Sequence, residues 1–160
     1  MFHRRLTYQP FGTWTLIIKS LRQDQVNELA GKLRIGVHLD VEVTDSDASQ
    51  RPLVSQAICS ALPVAYSSIP ATQWKSFATL VLQAAYEATL WAAVLNAERG
   101  VSNVVFLTRL GGGAFGNDDD WIHLAIRNAL TMVQGTGLDV RIVSYGPPTA
   151  AVSQLVKDFE

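Results

Sequence analysis

The residues best suited to chemistry form one stretch, a glycine loop at residues 111–116 with the sequence Gly-Gly-Gly-Ala-Phe-Gly. Glycine has no Cβ and takes positive φ without strain, so a ligand can lie directly against such a backbone. An apolar stretch at residues 104–110, predicted as a strand, precedes the loop, and a predicted helix follows it. Asn117 is the predicted N-cap of that helix, with Asp120 in a capping-box position. Unpaired amides and the positive helix end favour phosphate; the alternative is a tight turn that binds nothing.

The glycines at 111, 113 and 116 also fit the dinucleotide pattern G-x-G-x-x-G. A dinucleotide-binding fold needs an acidic residue at the carboxyl end of the next strand to hold a ribose. That strand is predicted at residues 138–144, and its acidic residue, Asp139, stands at the wrong end. Too little chain follows for the second half of a nucleotide-binding sheet, so the sequence argues against this class.

A second group of chemically capable residues is the acidic set at and after a predicted strand, residues 35–43; it comprises Asp40, Glu42, Asp45 and Asp47. At the carboxyl end of that strand, Asp45 and Asp47 could reach a ligand pocket. A carboxylate there could orient a ribose hydroxyl, or activate a water that attacks an anomeric carbon. The alternative is a solvated turn, because Asp-Ser-Asp is ordinary turn composition.

Three contiguous acids, Asp118, Asp119 and Asp120, follow the glycine loop. Capping and the helix dipole explain two of them, and contact with a ribose or a base explains at most one. A magnesium site that adds Asp45 or Asp47 is an alternative, since hard cations take oxygen ligands. We expect no required cofactor, because contiguous aspartates rarely converge on one ion.

Residues 110–121 resemble the second ligand loop of macrodomains, above all of the microbial poly(ADP-ribose) glycohydrolase-like branch. In that branch a Gly-x-Gly-x-Phe-Gly-Asn loop closes over the pyrophosphate and distal ribose of ADP-ribose. The resemblance implies ADP-ribose as the ligand and Phe115 as the aromatic that covers the ribose. The predicted ligand-binding residues are Gly111, Gly112, Gly113, Ala114, Phe115, Gly116, Asn117, Asp118 and, at the end of the neighbouring strand, Tyr145.

A second segment, residues 54–66, resembles more weakly the region around the catalytic Gln-Glu-Glu of that branch. Gln56 matches the glutamine, but Ala57 and Ile58 stand in place of the two glutamates. Two functions therefore stay open. One is an ADP-ribosyl hydrolase, slightly favoured, and the other is a reader that binds ADP-ribose without chemistry. For the hydrolase, the predicted catalytic residues are Asp40, Asp45, Asp47 and Gln56.

The elements that must position these residues follow from hydrophobic periodicity. Residues 35–43 alternate, which predicts a strand with its odd-numbered residues in the core. From residue 72 onward the order is helix, strand, helix, strand, helix, which predicts parallel strands with a ligand at their carboxyl ends. The whole predicts an α/β fold, a three-layer α/β/α macrodomain-like mixed sheet with residues 104–110 as its central strand. The predicted strands are 13–19, 35–43, 53–59, 104–110 and 138–144, and the predicted helices are 24–33, 72–99, a segment ending near 134, and 150–159.

Composition sets the class of protein. The 160 residues, 48% of them hydrophobic, predict one domain over 1–160. A net charge of −1 argues against a nucleic-acid or anionic-membrane surface. The apolar run at residues 77–97 is predicted as a core helix rather than a membrane span, and the single cysteine fits a reducing, cytoplasmic compartment. The expected partner is ADP-ribose or an ADP-ribosylated protein, bound by a monomer.

Overall fold

The computed structural model describes residues 11–160, with side chains from residue 15 onward, so residues 1–10 of the predicted domain lie outside the described residues. This part of the chain is mixed α/β, with five helices and two sheets of two strands each. The helices are α1 Phe11–Ser20, α2 Gln23–Ala30, α3 Ala71–Glu98, α4 Asp119–Met132 and α5 Ala150–Lys157, and the strands are β1 Gly36–Glu42, β2 Leu53–Ile58, β3 Val104–Leu107 and β4 Asp139–Ile142.

Helix α3 is the centre of the hydrophobic core. A row of buried side chains recurs along it at every fourth residue and faces the core, as the helical period requires: Trp74, Ala78, Leu82, Tyr86, Leu90 and Val94. Helix α4 packs against this row through Ile122, Ala125, Ile126 and Ala129. By length and composition α3 would also suit a membrane span, but this buried row is typical of a core helix.

Strands β3 and β4 pair in parallel, as the helix-strand order from residue 72 predicts. Val105 and Leu107 point into the core, whereas Val104 and Phe106 are exposed on the opposite face. Helices therefore cover one face of this sheet, and three layers are not confirmed. Within residues 11–160, β3 pairs with β4 alone, so the predicted central position of this strand is not confirmed.

Strands β1 and β2 form an antiparallel hairpin with a β-bulge in β1. Asp40 has a φ of 55°, and the register shifts between His38 and Val41. One extra residue in a strand moves the following side chains to the other face, so Val41 lies on the opposite face from Val37. The predicted alternation through residues 35–43 is therefore wrong, and all of β1 except the half-buried Val41 is exposed.

The predicted first strand, residues 13–19, is also wrong, because these residues belong to helix α1. Thr15 and Ile18 are three residues apart and both buried, which is a helical spacing. Ile18 packs with Ala30 of α2 and with Leu80 of α3. Burial against two helices outweighs the β-propensity of the aromatic and β-branched residues in this segment.

Candidate functional site

The glycine loop rests on the segment that precedes α3. Gly111 and Gly116 have φ values of 77° and 66°, in a region that residues with a side chain rarely adopt. A Cβ on Gly111 would lie 2.4 Å from the Cβ of Ala61, and one on Gly116 would lie 2.8 Å from the Cβ of Ala65. The fold itself therefore requires glycine at these two positions.

Gly113, in contrast to Gly111 and Gly116, is not required by the packing of the loop. A Cβ built on this residue meets no atom within 4 Å, and its φ lies outside the left-handed region. Gly112 is intermediate, since its Cβ would lie 3.1 Å from the terminal methyl of Ile122. Packing explains a glycine at 111 and 116 but not at 113, where the loop faces open space.

The loop presents three successive backbone donors without a protein acceptor. In the part of the chain that the structure describes, the N–H groups of Gly113, Ala114 and Phe115 donate no hydrogen bond, although Gly112 N–H donates to Arg109 O at 3.1 Å and Gly116 N–H to Gly113 O at 3.0 Å. Gly113 and Ala114 are exposed. Successive backbone N–H groups of this kind form the anion-binding concavities of many phosphate sites.

Tyr86 holds the start of the loop to α3. Its buried hydroxyl accepts a hydrogen bond from Leu110 N–H and donates one to Thr108 O, both at 2.8 Å. Burial raises the pKa of Tyr86 to about 12, so the phenol keeps its proton at neutral pH and can donate. One side chain thereby fixes the chain between β3 and the glycine loop.

Asn117 closes the loop and does not cap the following helix. It is 4% exposed, its backbone N–H donates to Gly111 O at 2.9 Å, and its Nδ2 donates to Leu62 O at 2.8 Å. The N-cap of α4 is Asp118, whose Oδ1 accepts from Asp120 N–H at 2.9 Å. The predicted capping box of Asn117 and Asp120 is therefore wrong by one residue, because the amide of Asn117 is used inside the loop.

An aromatic side chain of the loop, Phe115, contacts an aromatic side chain next to the loop, Tyr66. Phe115 is half-buried, and its ring meets that of Tyr66 edge-on, with centroids 5.9 Å apart. Tyr66 is 70% exposed, and Ala65 N–H next to it donates to Phe115 O at 2.9 Å. Sequence reasoning missed Tyr66 as a site residue; its signal is an aromatic residue in a short turn, Val64–Tyr66, between two prolines.

The predicted rim residue Tyr145 follows the carboxyl end of β4, which lies beside the carboxyl end of β3. Val143 N–H donates to Leu107 O at 2.8 Å and continues the pairing of the two strands toward the loop. Tyr145 is fully exposed. The parallel pairing therefore brings this tyrosine to the same sheet end as the glycine loop, as predicted.

One ion pair and one helix cap lie next to the loop. Arg109 Nη2 lies 3.4 Å from the Cβ position of Gly112 and forms an ion pair with Asp119, while Asp118 caps α4. Among residues 11–160 no group of three or more acidic, histidine or cysteine side chains could hold a metal ion. The alternative magnesium site would need Asp45 or Asp47, which lie in the hairpin turn.

The structure does not bring the predicted catalytic acids to the loop. Asp40 pairs with Arg99, which follows α3, thirteen residues after the loop-binding Tyr86 and therefore roughly 20 Å away along the axis. Asp45 and Asp47 come after the carboxyl end of β1, which pairs with Leu53 at the start of β2.

The end of β2, not its start, leads to the segment beneath the loop. Gln56 lines a cavity together with Asp40 rather than the loop. The four predicted catalytic residues thus lie on the hairpin, and the reason is its antiparallel pairing. A parallel β1 would carry its carboxyl end, and the acids that follow it, to the opposite end of β2.

The fold and the site together define a mixed α/β protein with an exposed, amide-lined glycine loop at the carboxyl end of a parallel strand pair. No protein-family model matches the sequence, and neither a curated protein nor a solved structure shows a significant match. The function is therefore argued from the loop and its surroundings.

Proposed function

We propose that this chain binds ADP-ribose, free or attached to a protein, with the diphosphate on the glycine loop. The observation that carries the proposal is the row of three unpaired N–H groups at Gly113, Ala114 and Phe115. A diphosphate offers several acceptor oxygens on neighbouring atoms, and backbone amides in a row suit such an acceptor. Gly113 supports this assignment, because neither packing nor backbone conformation requires a glycine there.

The surroundings of the loop suit the rest of the ligand. Phe115 and the exposed Tyr66 offer aromatic surface for a ribose or an adenine, and Tyr145 stands at the same end of the sheet. Arg109, which pairs with Asp119, has its Nη2 3.4 Å from the Cβ position of Gly112. Together with the likeness of residues 110–121 to the macrodomain ligand loop, these features favour ADP-ribose over a simple phosphate.

The macrodomain architecture is part of this proposal. It requires β3 to have a strand neighbour on each side and helices to cover the face that carries Val104 and Phe106. Both are exposed in residues 11–160, Phe106 by 65%. An apolar side chain in the middle of a strand suits a covered face better than an exposed one, which supports a further layer.

Calorimetric titration with ADP-ribose, ADP, AMP and NAD tests the binding. We expect heat with ADP-ribose and none with NAD or AMP, and an absence of heat with all four would reject the proposal. Gly113→Val should abolish binding while leaving stability unchanged, because its side chain would occupy the open space over the amides. Gly31→Val is the matched control, since Gly31 has a φ of −64° and a Cβ there meets ordinary contacts at 3.6 Å.

Hydrolysis of the ADP-ribosyl linkage is the second candidate function. It is favoured by Asp120, which is exposed beside the loop and whose carboxylate has no ion-pair or hydrogen-bond partner among residues 11–160. A carboxylate at this position could activate the water that attacks the ribose carbon. The hairpin acids are less suited to this role because of their distance from the loop.

The activity is tested by incubating the protein with a panel of ADP-ribosylated substrates and measuring the release of ADP-ribose. If the chain is a hydrolase acting through the loop acids, Asp120→Asn should abolish release and Asp47→Asn should not. If Asp47→Asn abolishes release and Asp120→Asn does not, the catalytic carboxylate lies on the hairpin. ADP-ribose binding without release from any substrate would leave the reader function.

A further inference from the structure

A groove lies between α2, the residues that follow it, the middle of α3 and the end of α4. Its volume is about 530 Å³, which is within the range of small-molecule sites. Charged and apolar side chains share its walls. Among those that line it are Leu33, Arg34, Gln83, Glu87, Trp91 and Met132. The groove shares none of these residues with the glycine loop or with the hairpin.

Arg34 is the only arginine among residues 15–160 that has no ion-pair partner. The others each pair with an aspartate or a glutamate: Arg22, Arg51, Arg99, Arg109, Arg127 and Arg141. Within the same residues the side chain of Arg34 donates no hydrogen bond either. A guanidinium presents five N–H donors in a planar fork that matches a carboxylate. Arg34 is therefore free to bind an anionic group in the groove.

Glu87 is the matching exception among the acidic side chains. Of those without an ion-pair partner in the described part of the chain, Glu87 alone is half-buried. The others are exposed to solvent: Asp45, Asp47, Glu98, Asp118, Asp120 and Glu160. Gln83 Nε2 donates to Glu87 Oε1 at 2.9 Å and orients the carboxylate. A carboxylate that is partly withdrawn from water gains more from a cation than an exposed one does.

Trp91 stands about one helical turn after Glu87, on the same face of α3. Trp91 is 43% exposed, and both residues line the groove. An ammonium group beside this carboxylate can also contact the indole ring, and tryptophan is the best aromatic partner for a cation. Leu33 and Met132 add exposed apolar surface. The groove therefore offers a cation site, an apolar wall and, at Arg34, an anion site.

We propose that this groove binds an amino acid with a large apolar side chain. Its ammonium group lies between Glu87 and Trp91, and its carboxylate pairs with Arg34. Its side chain covers Leu33 and Met132. Arg34 and Glu87 do not pair with each other, so a ligand with a single charge would leave one of them without a partner. A zwitterion supplies both counter-charges through charge-assisted hydrogen bonds. The site does not depend on the proposed ADP-ribose ligand.

Titration of the full chain with L-phenylalanine, followed by NMR at the indole N–H of Trp91, tests the proposal. Three further probes each lack one part of this ligand: phenethylamine lacks the carboxylate, phenylpropanoate lacks the ammonium group, and free glycine lacks the side chain. We expect L-phenylalanine to bind about tenfold or more tightly than each of the three. No binding of L-phenylalanine, or equal binding of any one of the three, would overturn the proposal.

Two substitutions that each remove one charge test the placement of the ligand. Glu87→Gln should weaken L-phenylalanine and phenethylamine by about tenfold or more and leave phenylpropanoate unchanged. Arg34→Gln should weaken L-phenylalanine and phenylpropanoate and leave phenethylamine unchanged. Glu98→Gln removes an exposed, unpaired charge from the same helix and should change no affinity. Unchanged binding of L-phenylalanine in both groove variants, or an equal loss in Glu98→Gln, would show that the ligand lies elsewhere and overturn the proposal.

Discussion

The glycine loop and the β1–β2 hairpin carry the two residue groups that the sequence marks for chemistry, and they differ in how the fold holds them. The loop is fixed from beneath by Tyr86, Asn117 and two positive-φ glycines, and its outer amides are left without acceptors. The hairpin acids are exposed, and Asp40 is engaged in an ion pair with Arg99. Only the loop therefore combines a fixed backbone with donors that are free for a ligand, whereas the carboxylates of the hairpin are exposed and one of them is already paired.

The largest effect expected from this difference is at Gly111. Gly111→Ala should destabilise the fold by about 3 kcal/mol or more, because it adds positive-φ strain to a clash with Ala61. Gly113→Ala should change stability by less than about 0.5 kcal/mol. Urea unfolding measures both. Similar losses for the two variants would show that the loop is not fixed from beneath as described.

The next effect concerns the Tyr86 hydroxyl. Tyr86→Phe should cost about 1–3 kcal/mol, because Leu110 N–H and Thr108 O lose a shared buried partner. Exchange at the Leu110 amide should speed up, and ADP-ribose binding should weaken. Tyr66→Phe removes a hydroxyl from an exposed ring and serves as the control. Equal stability of the two variants would contradict the role given to Tyr86.

The same hydroxyl predicts a dependence on alkaline pH. Burial raises the folded-state pKa of Tyr86 to about 12 from a reference value of 10.0, so between these pH values the unfolded chain releases the proton and the folded chain keeps it. Stability contributed by this group is present below pH 10 and declines as pH rises through 12. The stability difference between wild type and Tyr86→Phe should therefore narrow by on the order of 2 kcal/mol. If the difference in the free energy of unfolding between the two proteins stays constant from pH 9 to 12, the predicted role of the Tyr86 hydroxyl is wrong.

A smaller effect is expected at the start of α4. Asp118→Ala should destabilise by about 1 kcal/mol, since it removes the acceptor for Asp120 N–H. Asp120→Ala leaves the cap in place and should cost less. Thermal unfolding of the two variants compares them. A larger loss at Asp120 would restore the capping box that the sequence predicts.

The smallest effect is expected in the hairpin. Asp40→Asn keeps a residue type that tolerates positive φ and removes only the charge that pairs with Arg99. Stability should fall by no more than about 1 kcal/mol, as for other exposed ion pairs. Calorimetry with ADP-ribose should give the same affinity as wild type. A lost affinity would bring the hairpin back into the ligand site.

Much of the fold could be predicted from sequence because its signals are local. The long apolar run of α3, the strand before the glycines and the order of elements after residue 72 each rest on periodicity and on breakers such as Gly100. The segment at 13–19 could not be predicted, since its helical state depends on contacts of Ile18 with distant helices. The bulge at Asp40 adds one residue to a strand that otherwise alternates perfectly in sequence, so no local signal reports it.

The candidate site could be predicted in part for the same reason. The glycine loop is contiguous, and its outline could be read directly from residues 111–116. The position of the hairpin acids depends on strand direction, and the number of neighbours of β3 depends on pairing between distant segments. No local sequence pattern predicts the direction of these strands or the neighbours of β3. Tyr66 was missed because its relation to Phe115 joins segments far apart in sequence.

Helix α3 also fixes the distance between the glycine loop and the hairpin. It runs without interruption for 28 residues, and the loop contact at Tyr86 and the hairpin contact at Asn96 are ten residues apart, a fixed spacing of about 15 Å along its axis. A continuous helix of this length moves largely as one unit, because backbone hydrogen bonds join each turn to the next. A rotation of this helix that shifts the hairpin would therefore also move the phenol of Tyr86, and with it the loop that carries the three unpaired amides.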